Sequence, residues 1–300
     1  MTVLDTVADR QAGWSVTADK LKAGLDLARW AVFIFSVLGA LLATLASQLG
    51  PPVGATLGAA ADPRTWLAIA GALSLATATF FTQRLLGQEH ITGWVRARAI
   101  SEALKREAYK FAAGATPYDQ ANAENLLNAE RQKIEEDGDD LIATLVTNPG
   151  AGSVPRATLT PQQYIERRVD GQIEFYKKRA GTYRTTATWL RRTEFGLALA
   201  ATLITAIASV TGKSTHIFNI HFDIAAMTAV LTTVAGAVLA HAEASRFDFL
   251  VTTYLATARR LEDRKGGSRT TSSALVNDCE NIIATENMSW IAKWAKPTKT

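Results

Sequence analysis

The sequence predicts an all-α membrane protein. Four transmembrane helices form two parallel two-span repeats and continue into a cytoplasmic helical bundle. Three observations predict this: four apolar windows free of charge, a lopsided placement of basic residues, and apolar seams at helical spacing beside the windows. Bulk composition alone would not. The 300 residues are 48% hydrophobic and 20% charged, with a mean hydropathy of +0.04, values ordinary for a soluble protein. The net charge of +4 is too small to argue for nucleic acid, and none is expected as a partner. The single cysteine, Cys279, excludes an internal disulfide and any cysteine-based zinc or iron–sulfur centre.

The windows follow in chain order. The first runs from Trp30 to Gln48 and ends before Gly50-Pro51-Pro52. The second is TWLAIAGALSLATATFFTQ, between Arg64 and Arg84. The third is FGLALAATLITAIASVTG, between Glu194 and Lys213. The fourth is IAAMTAVLTTVAGAVLAHA, between Asp223 and Glu243. Each matches the ~20 helical residues that cross the hydrocarbon of a bilayer. A soluble amphipathic helix would show a charged face within such a length; the alternative is a soluble bundle with very apolar central helices. The first window is not expected to be a signal peptide, because a charged helical stretch precedes it and no cleavage context follows.

Basic residues give the expected topology. Of the 32 Lys and Arg, only Arg64 and Lys213 fall in the two short loops that join paired spans. The positive-inside rule therefore puts both termini and the central segment in the cytoplasm, with the spans in the cytoplasmic (inner) membrane. Arg29, Arg84, Arg191 and Arg192 flank spans on that side, and Trp30, Trp66, Trp94 and Trp189 stand where interfacial aromatics sit.

The chain divides into three. Residues 1–113 form a first unit with spans at about 30–49 and 65–83. Residues 114–160 form a cytoplasmic linker, with a polar helix from Pro117 to about Glu136. Residues 161–300 form a second unit with spans at about 195–212 and 224–242, then a C-terminal helix. An offset of about 162 residues aligns the two units, Trp14 meeting Tyr176 and Arg29 meeting Arg191. The spans are expected to continue as helices. Trp94, Ala97, Ser101, Leu104, Ala108 and Phe111 make one seam; Phe247, Leu250, Tyr254, Ala258 and Leu261 another. Ile165, Val169, Tyr176, Ala180, Tyr183, Ala187 and Leu190 precede the third span, after the helix start Thr160-Pro161. Leu275, Cys279, Ile282, Trp290 and Trp294 mark the apolar side of the last helix.

Motifs for chemistry are scarce. Gly212-Lys213-Ser214-Thr215 lacks the upstream glycine and strand of a phosphate-binding loop. Asp137-Gly138-Asp139-Asp140 lacks the register of a calcium loop and reads as a solvated turn. His216 and His221 share an outer loop, too few ligands for a zinc site. No catalytic set, cofactor site or metal site is expected, and the chain is not read as an enzyme; a buried polar cluster would be the observation to reopen that question. The spans do carry small and hydroxyl residues at helical spacing. Ser36, Ser47, Ser74, Thr202, Thr205, Ser209, Thr228, Thr232 and Gly236 are candidates either for close helix packing or for a pore lining completed by several subunits.

The paired spans with a short outer loop, followed by Trp94 and RARAISEALKREAYKFAAGATPY, resemble the SLATT family. These are two-transmembrane effector domains associated with SMODS nucleotidyltransferases and SLOG sensors. YIERRVDGQIEFYKKRAGTYRTTATWLRRTE before the third span, and the last helix with Glu286 and Trp290, resemble the same family. The resemblance covers most of the chain as a tandem of two units. It implies a pore-forming effector of a bacterial antiphage system that oligomerises in the membrane and permeabilises it when triggered. The trigger is then a cytoplasmic sensor or nucleotide-signalling partner, or a site not recognisable in the sequence. A non-conducting membrane scaffold that binds partners through its cytoplasmic helices is the alternative.

Overall fold

In the computed structural model, residues 2–48, 62–147, 149–150, 152, 154–211, 214–217, 220–267 and 272–294 are described; the side chains of 211–226, 290–291 and 293–294 are not. The order is α1 (Val3–Gln48), α2 (Pro63–Leu85), α3 (Gln88–Ala112), α4 (Ala123–Glu136), α5 (Pro161–Tyr164), α6 (Gly171–Thr211), β1 (Ser214–Ile217), β2 (Ile220–Asp223), α7 (Ile224–Ser245), α8 (Phe247–Gly266) and α9 (Ser273–Trp294). A 3₁₀ turn occupies Asp139–Thr144, and a π-helical turn at Ile165–Asp170 joins α5 to α6. The fold is all-α apart from β1 and β2, a four-residue antiparallel ladder in the loop between the third and fourth windows. That ladder sets His216 opposite His221 along the backbone.

Local chemistry explains the helix starts. Asp62 accepts the Arg64 N–H at 2.9 Å, with Pro63 in the first turn of α2. Thr160 and Gln163 cap each other reciprocally, with Pro161 in the first turn of α5. Two expected continuities are interrupted. A bend at Leu86 and Gly87 separates α2 from α3. Arg246, at φ 51°, separates α7 from α8. α1 runs unbroken.

Contacts divide the chain into two compact units. One gathers residues up to Leu25, Gly87–Thr182, and the chain from Phe249 onward. Its core holds Val7, Trp14, Trp94, Leu104, Leu127, Tyr164, Val169, Leu261, Cys279 and Ile283. The expected seams point inward: Ala97, Ser101, Ala108, Tyr176, Ala180, Tyr254 and Ala258 are buried. Trp94, expected at the membrane interface, is instead 2% exposed in this core. Its position on the buried seam of α3 outweighs its distance from the span. On α9 it is Ile283 that is buried, while Ile282 is half-buried; Trp290 and Trp294 fall among the undescribed side chains.

The linker also departs from expectation. The polar helix begins at Ala123, not Pro117. Thr116 spends its hydroxyl on Asp119 and its N–H on Ser273 Oγ, so it does not cap a helix at Pro117. The acidic turn itself is solvated, with Asp137, Asp139 and Asp140 exposed, but the residues around it are tied down. Glu135 accepts from Trp14 Nε1 at 3.0 Å and from Arg131 at 2.6 Å, and Arg10 joins it. Arg96 grips Asp140 at 2.6 Å. A Cβ on Gly138 would come within 2.6 Å of the Trp14 ring, so only glycine allows this approach. These contacts hold the linker onto the helices of this unit.

The other unit gathers Asp26–Leu86 and Tyr183–Asp248, and so all four apolar windows. All four lie in helices long and apolar enough to cross a membrane. Only 6–17% of each window is buried. Leu38, Leu41, Leu45, Leu73, Phe80, Phe195, Leu199, Leu203 and Ile207 are all exposed. In water each such side chain would forgo ~1.5–3 kcal/mol of burial; in hydrocarbon there is no such loss. That inverted pattern excludes the soluble-bundle alternative and makes this a membrane protein. Inside the unit, Phe35 meets Phe81 at 5.9 Å and Trp30 meets His241 at 5.0 Å. Glycines carry the closest crossing. A Cβ on Gly71 would lie 3.1 Å from Ala43 N and 3.2 Å from Gly39 O, so α1 and α2 meet backbone to backbone.

Candidate functional site

The hydroxyl residues of the spans are placed as follows. Ser74 is buried, and Ser36 and Thr228 are half-buried. Ser47, Thr202, Thr205, Ser209, Thr232 and Gly236 are exposed, so they look outward from the single chain. Their hydroxyls are occupied locally. Thr202 donates to Ala198 O at 2.9 Å, Thr205 to Ala201 O at 2.9 Å, Ser209 to Ala206 O at 2.7 Å and Thr232 to Thr228 O at 3.0 Å. One lateral contact links two spans, Thr205 to Thr228 at 3.3 Å. A Cβ on Gly236 would meet nothing within 4 Å. Within the chain the close packing therefore falls on Gly39 and Gly71, which the hydroxyl pattern did not single out. Of the interfacial set, Trp30, Trp66 and Trp189 are exposed, as are Arg84 and Arg192. Arg29 pairs with Asp26 at 3.2 Å, and Arg191 pairs with Asp248.

Sequence reasoning missed a buried polar cluster in the charged unit. The π turn places Ile165, Arg168 and Val169 inward, and π turns recur at functional sites. Arg168 is 1% exposed and Glu280, on α9, is 0% exposed. They form a two-point pair: Nε to Oε1 at 2.9 Å, and Nη2 to Oε2 at 2.7 Å. The Tyr164 hydroxyl donates to Glu280 Oε1 at 3.1 Å. The guanidinium lies 4.7 Å over the Tyr109 ring. Burial works against charge on Arg168, but Glu280 outweighs it and holds the guanidinium charged. Two buried polar atoms have no hydrogen-bond partner among the described residues: Arg168 Nη1 and Glu286 Oε1.

Beside the pair lies a cavity of about 420 Å³ between α3, the π turn, α6 and α9. Arg98, Lys105, Arg167, Arg168 and Arg179 line it, against Asp19, Glu102 and Glu286. Burial tends to raise Glu102, but Lys105, Arg98 and Arg168 together hold it below the ordinary carboxylate range. Burial pushes the Lys105 ammonium down. Burial also pushes the Glu286 carboxyl up to about 7, against the pull of Arg98. Burial pushes the Cys279 thiol up to about 11, which leaves it unreactive at neutral pH. Among the described residues no three His, Cys, Asp or Glu side chains could share a metal ion.

The raised Glu286 pKa sets a pH dependence. The unfolded carboxyl titrates near 4.5 and the folded one near 7. Between those values the folded protein holds a proton that the unfolded chain has lost. Stability should therefore be fully present below pH 4.5 and fall as pH rises to about 7, by ~3 kcal/mol at most. Glu286→Gln should flatten this segment of the curve and raise the melting temperature at pH 8. Thermal melting of the detergent-solubilised protein from pH 5 to 8 checks it.

Two family models match the chain. Residues 12–126 match DUF4231, a protein family of unknown function. Residues 164–290 match the SMODS and SLOG-associating 2TM effector domain 1, SLATT_1. No curated protein and no solved structure matches. The SLATT_1 match takes in the third and fourth apolar windows together with Arg168, Glu280 and Glu286. Over residues 164–290 the chain is thus similar to the SLATT two-transmembrane effector domain, a type associated with conflict systems, and its helices include the membrane spans that such a domain needs.

Proposed function

We propose that the protein is a membrane-embedded effector of a bacterial conflict or antiphage system, which oligomerises and permeabilises the cytoplasmic membrane when triggered. The observation that carries this reading is the outward hydroxyl face of the spans. Thr202, Thr205, Ser209 and Thr232 are exposed on a single chain. A second copy is the natural cover for such a face, and a ring of copies would line an opening with it. The similarity to an effector domain supports the same reading.

Topology follows the basic residues: both termini and the central segment lie in the cytoplasm. The trigger is a cytoplasmic sensor or nucleotide-signalling partner. The tandem of two SLATT-like units belongs to this proposal too. It is supported by matching breaks, at Leu86–Gly87 and at Arg246, about 160 residues apart.

The test is electrical. Induced cells challenged with phage should lose membrane potential, read with a voltage-sensitive dye. Thr202→Val with Thr205→Val keeps shape and helix but removes the hydroxyls; it should lower conductance at least tenfold in reconstituted bilayers while leaving insertion intact. A preserved potential in expressing, infected cells would sink the pore.

The scaffold reading has one observation in its favour, since the hydroxyls already bond their own backbone and do not need water. It predicts unchanged oligomers and activity in the same valine variant.

A further inference from the structure

We propose that the 420 Å³ cavity between α3, the π turn, α6 and α9 is a binding site for a small organic phosphate. It rests on three observations. The first is the gathering of cations. Arg98 and Lys105 stand seven residues apart on one face of α3 and are half-buried. Arg167 and Arg179 are exposed at the rim, and Arg168 is fully buried. Among the described residues no salt bridge within 4 Å holds Lys105, Arg167 or Arg179, although Glu102 acts on Lys105 at longer range. Glu102 compensates Lys105 and Arg98 only in part, and burial still works against the Lys105 ammonium, so an anion beside it would offset part of that cost.

The second observation is an orphan donor. Arg168 has given Nε and Nη2 to Glu280, but its buried Nη1 has no partner among the described residues, and Arg168 is part of the cavity wall. A buried N–H without an acceptor costs about 1–3 kcal/mol. A phosphate oxygen is the acceptor that guanidinium geometry favours. The Glu280 pair and the Tyr109 ring hold the guanidinium in place, so the donor is preorganised.

The third observation is the rest of the wall. Trp94, Tyr109, Phe175 and Tyr176 line the cavity beside the cations. The volume lies within the ~300–1,000 Å³ usual for small-molecule sites and exceeds what a bare phosphate fills. Aromatic faces suit the organic part of the ligand, and the cations suit the phosphate. The acids cancel the field only in part: Asp19 and Glu102 stand against Arg98, Lys105, Arg167 and Arg179. Glu102 lies between Lys105 and Arg98, which already pull on it. Glu286, in its neutral form, would donate a hydrogen bond to the ligand instead of repelling it. Arg98 and Lys105 lie within the DUF4231 match, and Arg167, Arg168 and Arg179 within the SLATT_1 match, so the site needs both.

The phosphate could arrive on a soluble metabolite or on a lipid headgroup. Full-length protein in detergent should be titrated with adenosine monophosphate, glycerol 3-phosphate and inorganic phosphate. In a second arm it should meet phosphatidylglycerol and phosphatidylcholine vesicles. Melting temperature and calorimetry read both arms. Binding of a soluble ester that weakens at least tenfold in Lys105→Gln and in Arg167→Gln, but not in Lys133→Gln, supports the site with a soluble ligand. The same dependence seen only with phosphatidylglycerol supports it with a headgroup. Circular dichroism of each variant confirms the fold, and no salt bridge among the described residues holds either cation removed. No binding of any phosphate probe overturns the proposal. Binding that both cavity variants retain overturns it too. Conductance is not measured, so the pore reading can fail while this one holds.

Discussion

Arg168→Met is expected to unfold the charged unit under conditions in which the unaltered protein is stable. The substitution leaves the Glu280 carboxylate with no counter-charge at 0% exposure. Breaking a buried pair from one side typically costs ~3–5 kcal/mol, much of a domain's whole stability. Glu280→Leu should do comparable damage from the other side, leaving a guanidinium among Tyr109, Tyr164 and Val169. The double variant is the informative one. With both charges gone, the core becomes apolar and the desolvation cost disappears with the attraction. Arg168→Met with Glu280→Leu should recover most of the loss, although the Tyr164 hydroxyl then lacks its acceptor. Thermal melting of the four proteins in one detergent closes the cycle. Additive losses would show that the pair does not act as a unit.

Gly71→Val should part α1 from α2. Valine's Cβ alone would press on Ala43 N at 3.1 Å and Gly39 O at 3.2 Å, both backbone atoms that cannot turn aside. The two γ-methyls add further volume. Overpacking of this kind costs ~1–3 kcal/mol or more, and the helices can relieve it only by separating. Gly196→Ala and Gly236→Ala supply the contrast, because a Cβ at either position meets nothing within 4 Å. Those two should be neutral or slightly stabilising, by up to ~1 kcal/mol of helix propensity. A Gly71→Val protein that melts with the parent would contradict the crossing geometry.

These two sites were the least legible in the sequence. Arg168 and Glu280 lie 112 residues apart, on elements that no local period connects. Each looked like one more charge on a charged helix. Gly39 and Gly71 sat inside apolar windows, where hydroxyl residues drew attention and the absence of a side chain did not. What could be read was whatever repeats along the chain. The four windows showed through missing charge. The seams through Trp94, Leu104 and Ala108, and through Tyr254, Ala258 and Leu261, showed through spacing of three and four. Both seams are buried. The breaks at Leu86–Gly87 and Arg246 were invisible because the apolar spacing continues on either side of them. Pro117 misled because a Thr-Pro pair suits a helix start only when the threonine side chain is free to cap. Thr160-Pro161 caps as expected and Asp62-Pro63 caps in the same way, while Thr116 is engaged elsewhere.

The local bonding of the span hydroxyls has a consequence for what could move past them. A hydroxyl has one hydrogen to give and two lone pairs to receive. In Thr202, Thr205, Ser209 and Thr232 that hydrogen is committed to a carbonyl of the same helix. The oxygen then turns only lone pairs outward. A lumen assembled from this face would present acceptors in register and few free donors, a mildly electronegative wall. Water would cross with its hydrogens toward the wall. Potassium and ammonium would find partial replacement for their hydration, and chloride would find none. Such an opening would favour cations over anions, and its reversal potential would not follow the chloride gradient.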